Sequence, residues 1–206
     1  FMPAAERFGL IHSVDRWIVE RAIRQLATLH TQGQQASFSI NLSGRAFEDA
    51  SLLPLIKNLI GETGLEPTWL TFEITETAAV FNLEKASRMI HAMRKIGCRF
   101  SLDDFGSGLS SFAYLKTLDV DYIKIDGMFV KDIAEDNIDK ELVNSIISIA
   151  KAMGKKTIAE YVENDEIRDL LQRIGVDYGQ GFGIAKPAPL RELIPDPAPA
   201  ANAKTA

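Results

Sequence analysis

Cysteine is almost missing from this 206-residue sequence. Cys98 stands alone, so no internal disulfide can form. Without a second thiol or a histidine at ligand spacing, a zinc site has no donors. The ordinary reading of such a residue is a small buried hydrophobe. His12, His30 and His91 fall in separate helical stretches, where solvated positions are expected. No apolar run approaches the ~20 residues that span a bilayer, and no secretory signal pattern opens the chain. Membrane insertion of this segment is therefore not expected, and a reducing, cytoplasmic compartment is. G-x-S-x-G, the P-loop and C-x-x-C are all absent, so acyl transfer, nucleoside triphosphate hydrolysis and dithiol chemistry have no local support. A basic block is missing too: the net charge is −5, with both signs dispersed. A long nucleic acid needs clustered Lys and Arg, so none is expected as a partner. A small phosphate ester stays open, because a bound cation could neutralise it locally.

With 46% hydrophobic and 25% charged residues, the chain can bury one sizeable core. Residues 1–193 read as a single domain. The end, "IPDPAPAANAKTA" from Ile194 to Ala206, is rich in Pro and Ala and reads as a disordered tail. The opening "FMPAAERFGLI" begins at Phe1, which suggests a piece of something longer.

Helical and extended patterns alternate between these ends. Ile11, Val14, Ile18, Ala22, Leu26 and Leu29 predict a helix over about 12–31. Others are centred on Leu52–Ile60, on Leu83–Met93 with Asn82 as cap and Gly97 as stop, on Leu142–Met153, and on Ile167–Ile174 between Asn164 and Gly175. A shorter turn runs through Leu109, Phe112 and Leu115. Extended runs occupy 37–43, 70–76, 98–104, 120–126 and 156–160, with a weak one at 176–184. Strand–helix alternation implies parallel strands with crossover helices, either a barrel or a doubly wound open sheet.

Strand parity favours the barrel. Ser39, Asn41 and Ser43 share one face, opposite Ile40 and Leu42; Thr71, Glu73 and Thr75 oppose Phe72 and Ile74. Ser101 and Asp103 oppose Leu102, and Tyr122 and Lys124 oppose Ile123 and Ile125. Strands of an open parallel sheet are apolar on both faces, whereas these carry one polar, ionisable face. "KTIAE" breaks the rule, because Glu160 aligns with Ile158; the strand is expected to end there and let the side chain swing.

The inward set is then Asn41, Glu73, Asp103 and Lys124, with Asp104 and Glu160 at strand ends, the usual place for ligands in parallel α/β folds. Singly, each has a bland reading: a turn former, a solvated acid, a lysine whose amine reaches water. Together, four carboxylates and an amide at one mouth would repel one another unless cations bound them. Hard oxygen donors select Mg²⁺ or Mn²⁺. Two such ions, one aspartate bridging, would suit an in-line phosphoryl displacement.

The motifs "NLS" (41–43), "EITET" (73–77), "DDFGSG" (103–108), "KID" (124–126), "AEYVE" (159–163) and "GQGFGIAKP" (179–187) resemble those of the EAL-domain family, bacterial phosphodiesterases of cyclic di-GMP. The likeness runs in register from about Phe1 to Pro189. It implies a modified (β/α)8 barrel, TIM-like, and hydrolysis of cyclic di-GMP to linear pGpG with two divalent cations. Asn41, Glu73 and Asp103 would hold the first metal, with Asp103 bridging and Asp104 and Glu160 serving the second. Glu160 has also been viewed as the base in such enzymes, and Lys124 would contact the attacking water or the scissile phosphate. Gln180 and Glu163 would lie near the nucleotide or its supporting shell, and Glu76 would anchor the loop beginning at Phe105. A homodimer and upstream sensory or diguanylate cyclase domains are further implied. The family's signature glutamate and the N-terminal barrel strands are expected before Phe1; a replaced glutamate would leave the alternative, a catalytically inactive cyclic di-GMP receptor. Tyr161, where many relatives have glycine, and "GFGIAKP" depart from the common pattern.

Overall fold

The computed structural model describes residues 2–108 and 112–193. Its helices are α1 (Met2–Arg7), α2 (Ile11–Thr31), α3 (Leu52–Thr63), α4 (Glu76–Phe81), α5 (Leu83–Arg94), α6 (Asn137–Ala152), α7 (Asp165–Ile174) and α8 (Leu190–Leu193). The strands are β1 (Phe38–Asn41), β2 (Leu70–Thr75), β3 (Arg99–Phe105), β4 (Tyr122–Ile125), β5 (Lys156–Ala159) and β6 (Tyr178–Gly179). Short 3₁₀ turns include Phe112–Lys116 and Gly127–Phe129. Leu109, the start of one expected helical turn, and the segment 194–206 lie outside the described residues.

All strand pairs are parallel, and the sheet order is β1-β2-β3-β4-β5-β6. That order decides between the two architectures left open by periodicity. A doubly wound sheet reverses direction once, and this one never does. Right-handed crossovers that always step the same way put every helix on one face, and a twisted sheet covered on one face curls. The result is a parallel half-barrel with helices outside. Among the described residues, no helix is long and apolar enough to cross a membrane.

The core lies between sheet and helices. Ile40, Leu42, Phe72, Ile74, Leu102, Ile123 and Ile125, the strand residues assigned to the apolar face, are all buried, and Phe100 joins them. Phe72 and Phe100 meet at 5.8 Å between ring centroids across β2 and β3. The expected Asn164 cap and Gly175 stop of α7 are both present: the Asn164 side chain accepts from Ile167 N–H at 2.9 Å, and Gly175 has φ 92°.

Four local expectations fail for physical reasons. The run 70–76 is extended only to Thr75, whose hydroxyl accepts from Ala78 N–H and starts α4, so Glu76 enters a helix rather than ending a strand. Asn82 is left between α4 and α5 and caps nothing with its side chain. The buried stripe of α2 is Ile11, Asp15, Val19, Ile23 and Leu26, so Val14, Ile18 and Ala22 are only half-buried. An acid at the centre of the stripe hid the true face. His12 and His30 are half-buried instead of solvated: His30 Nε2 lies 2.7 Å from the Ala36 carbonyl and its ring meets Trp69 edge-on.

Cys98 is buried just before β3, and burial pushes its thiol from about 9 up to about 12. A thiol raised on folding ionises first in the unfolded chain, so this group subtracts stability as pH climbs from about 9 toward 12. A thiol-specific colorimetric reagent at pH 8 is expected to label native protein only as fast as the chain opens, and to label urea-unfolded protein at once. Rapid stoichiometric labelling of the native form would contradict the burial.

Candidate metal centre

The inner face of the half-barrel collects the polar members of β1 to β4. Asn41 stands in register with Glu73, Glu73 with Ser101, and Thr75 with Asp103. Lys124 reaches into this set from β4. Its Nζ lies 3.0 Å from Glu73 Oε2, 2.8 Å from Asp103 Oδ1 and 2.7 Å from Glu160 Oε1. The lysine is 3% exposed. Burial alone would drive its proton off, but the hydrogen bonds to Asp103 and Glu160 and the charge of Glu73 outweigh that and hold the ammonium well above the usual lysine range. The bland reading of Lys124 as a surface residue is thereby excluded.

The adjacent aspartates are placed by a β-bulge. Leu102 pairs with Ile123 and Phe105 with Ile125, so Asp103 and Asp104 together oppose Lys124 alone. Strict alternation would send Asp104 into the apolar outer layer and Phe105 inward. The bulge reverses both: Phe105 is fully buried beside Ile125, and Asp104 takes φ 55° and joins its neighbour. Left-handed backbone costs a residue with a Cβ about 1 kcal/mol, and aspartate tolerates it better than most. Carboxylate oxygens of Asp103, Asp104 and Glu160 consequently lie within 4.8 Å of one another.

Glu160 arrives without the swing expected of it. Ile158 is in register with Lys124, so β5 turns Ile158 inward and Glu160 follows two residues later, its N–H bonded to the Ile125 carbonyl at 3.2 Å. The exception to the polar inner face is Ile158. Burial raises the carboxyl of Glu160, opposed by Lys124, and burial followed by the charges of Asp103 and Asp126 raises that of Asp104. Acids pushed upward in mutual contact are groups for which a cation would be a strong partner. The donors fit a divalent ion by chemistry as well as spacing: all are hard oxygens, and an ammonium already sits among them as a cation would.

The remaining candidates divide into two places. Gln180 and Glu163 line a cleft of about 480 Å³ that also has Glu160, Asp126, Tyr161 and Phe182 on its walls. Backbone bonds from Gln180 N–H to the Ala159 carbonyl (2.8 Å) and from Val162 N–H to the Gln180 carbonyl (3.0 Å) hold the two walls together. Gly181 is required for that approach, since a Cβ there would lie 2.3 Å from Val162 N. Glu76 is not part of the acid cluster. Buried at the start of α4, it accepts from Gly106 N–H at 2.8 Å and from the Tyr114 hydroxyl at 2.5 Å, tying the segment after β3 to the following 3₁₀ turn. Burial, then that bond, raises the Tyr114 phenol. Asn41 is exposed on β1, next to Glu73 but outside the contacts of Lys124. Two residues were passed over in the sequence. Asp126 shares the parity of Lys124 in the same "KID" motif, a signal that was legible. Ser101, placed on the polar face by its parity but left out of the site, is fully buried with no hydrogen-bond partner for its hydroxyl among the described residues.

Comparison with known proteins adds an independent line. The family model described as "EAL domain" matches residues 1–187. The chain is 42% identical over 190 residues to cyclic di-GMP phosphodiesterase PdeB of Shewanella oneidensis, covering 92% of this chain and 22% of that protein. It is 36% identical over 194 residues to cyclic di-GMP phosphodiesterase PdeF of Escherichia coli K12, covering 94% of this chain and 26% of that protein. The chain thus spans about a quarter of the length of these relatives. Among solved structures, the PaMucR phosphodiesterase in complex with c-di-GMP superposes with a TM-score of 0.87 at 32% identity, covering 94% of this chain and 78% of that one. The Xanthomonas citri FimX EAL domain in complex with c-di-GMP gives 0.88 at 30%, covering 92% and 75%.

Replacing Lys124 tests the charge balance directly. In chelator at pH 7, Lys124→Met is expected to lose roughly 3 kcal/mol, because three carboxylates keep their charge without a partner. The loss should shrink toward pH 5, since carboxyls raised in the folded state take up protons there sooner than in the unfolded chain. Urea midpoints at the two pH values measure both effects; an unchanged midpoint at pH 7 would mean the ammonium is not needed.

Proposed function

The chain belongs to the EAL domain family, and from that premise we propose that it hydrolyses cyclic di-GMP to linear pGpG in bacterial second-messenger signalling. The observation that carries the reading is the carboxylate cluster of Asp103, Asp104 and Glu160 beside a buried Lys124, opening on the cleft lined by Gln180 and Glu163. The curated relatives are phosphodiesterases of this dinucleotide, and the solved relatives hold it.

Two divalent cations, Mg²⁺ or Mn²⁺, would supply Lewis acidity at phosphorus and ease the deprotonation of water. Asn41, Glu73 and Asp103 would hold one, and Asp104 and Glu160 the other, with Asp103 shared. Lys124 donates through Nζ to the attacking water or to a phosphoryl oxygen and so fixes the line of attack. A Glu160 carboxylate oxygen accepts the proton of that water, a task suited to a carboxyl raised by burial. The water oxygen bonds to phosphorus, the ring P–O3′ bond breaks, and the released O3′ is protonated. Gln180 and Glu163 face the nucleotide or support the groups that do. Glu76 anchors the loop after Phe105. A homodimer would bury exposed apolar side chains such as Phe112, Ile138 and Leu142; upstream sensory or cyclase domains and a cytoplasmic setting fit the longer relatives.

Incubation with cyclic di-GMP and Mg²⁺ or Mn²⁺ should yield pGpG by chromatography. Asp103→Ala should lose bound metal and nearly all rate, whereas Lys124→Ala should keep metal and lose rate. Absence of turnover with either ion, alongside tight calorimetric binding of the dinucleotide, would replace the enzyme by a receptor.

A further inference from the structure

Asp15 is the one acid in the buried stripe of α2, and at 3% exposure it is cut off from water. An apolar side chain would serve packing better, since a buried carboxylate is costly unless hydrogen-bonded. Both of its oxygens are used on one residue: Ser43 N–H donates to Oδ1 at 3.2 Å and Ser43 Oγ–H to Oδ2 at 2.5 Å. Ser43 lies two residues after Asn41. The residue between them, Leu42, donates its N–H to the carbonyl of Glu73 at 2.9 Å. The chain leaving Asn41 is therefore pinned at two successive residues, once to the strand carrying Glu73 and once to α2. The far end of the same connection has its own clamp, Arg16 to Asp49 and Ser51.

We propose that Asp15 is a positioning residue, which through Ser43 aims the Asn41 carboxamide at the divalent ion shared with Glu73 and Asp103. The inference rests on the metal-dependent reading of the site and extends it to a helix remote from the acid cluster. Partners of this kind set ligand orientation, and their loss costs about 10- to 100-fold in metal affinity.

Calorimetric titration of the intact protein with Mn²⁺ alone is the test, with activity against Mn²⁺ concentration beside it. Asp15→Leu, which fills the space but accepts nothing, and Ser43→Ala are expected to weaken Mn²⁺ binding by about 10- to 100-fold, with rate recovering at high Mn²⁺. Ser43→Thr, which keeps both bonds, and Asp15→Asn, which still accepts from Ser43 N–H and donates through its amide to Ser43 Oγ, should stay within a few-fold of wild type. Arg16→Ala, at the far clamp, should move the urea midpoint and leave Mn²⁺ affinity unchanged, which separates positioning from general loosening of the loop. If Asp15→Leu does not fold, Ser43→Ala decides. Wild-type affinity in Ser43→Ala or in folded Asp15→Leu overturns the inference and leaves the phosphodiesterase reading standing. A wild-type protein that takes up no Mn²⁺ overturns both.

Discussion

Negative oxygens brought together from separate strands repel, and the molecule answers with one buried ammonium. Lys124 touches carboxylates from β2, from β3 and from the segment after β5, all at 3.0 Å or less. Sheet register, the bulge and the crossover helices all serve to deliver those groups to one point. Register puts Glu73 and Lys124 on the inner face, and the outer face holds the strands in place by burying Phe72, Phe100 and Ile123 against the helices. The inner face can carry these charged groups because the opposite side of the same strands is apolar and packed. A core substitution that shifted one strand by a residue would turn its charged inner side chain outward.

The backbone does as much as the side chains. Three departures from regular geometry cluster here: the register skip between β3 and β4, the left-handed Asp104, and Tyr161 at φ 59° in the cleft wall. Tyr161 is tolerated because its neighbour across the cleft is Gly127, where a Cβ would come within 2.6 Å of the tyrosine Cβ. Such strain persists only where surrounding structure over-determines it, and it gathers at functional sites. Here it lets two consecutive aspartates face the same way, which an ideal strand forbids.

The site is also anchored from a distance. Glu76 takes the segment after Asp104 in hand through Gly106 and Tyr114, and Asp15 does the same for the segment after Asn41 through Ser43. Both are buried acids whose oxygens are spent on loops rather than on cations. Each follows one pattern: a helix donates a carboxylate to fix the chain just beyond a strand end, where the polar inner groups begin.

The residue pattern alone carried the alternation of strands and helices, the polar inner face, and the membership of Asn41, Glu73, Asp103 and Lys124 in it. Those features depend on periodicity, which is local and survives in one dimension. The motif resemblance carried the family. Other facts depend on pairs far apart in the chain. Asp104 joins Asp103 only because β4 offers one residue against two, and Glu160 points inward only because Ile158 meets Lys124 across β4 and β5. Asp15, which no sequence motif singles out, gains its role only when Ser43, 28 residues later, folds against it. Strand parity already favoured a barrel, but the order of the strands in it was decided the same way. Composition and spacing can say which face a side chain takes; only the packed neighbours decide what it meets there.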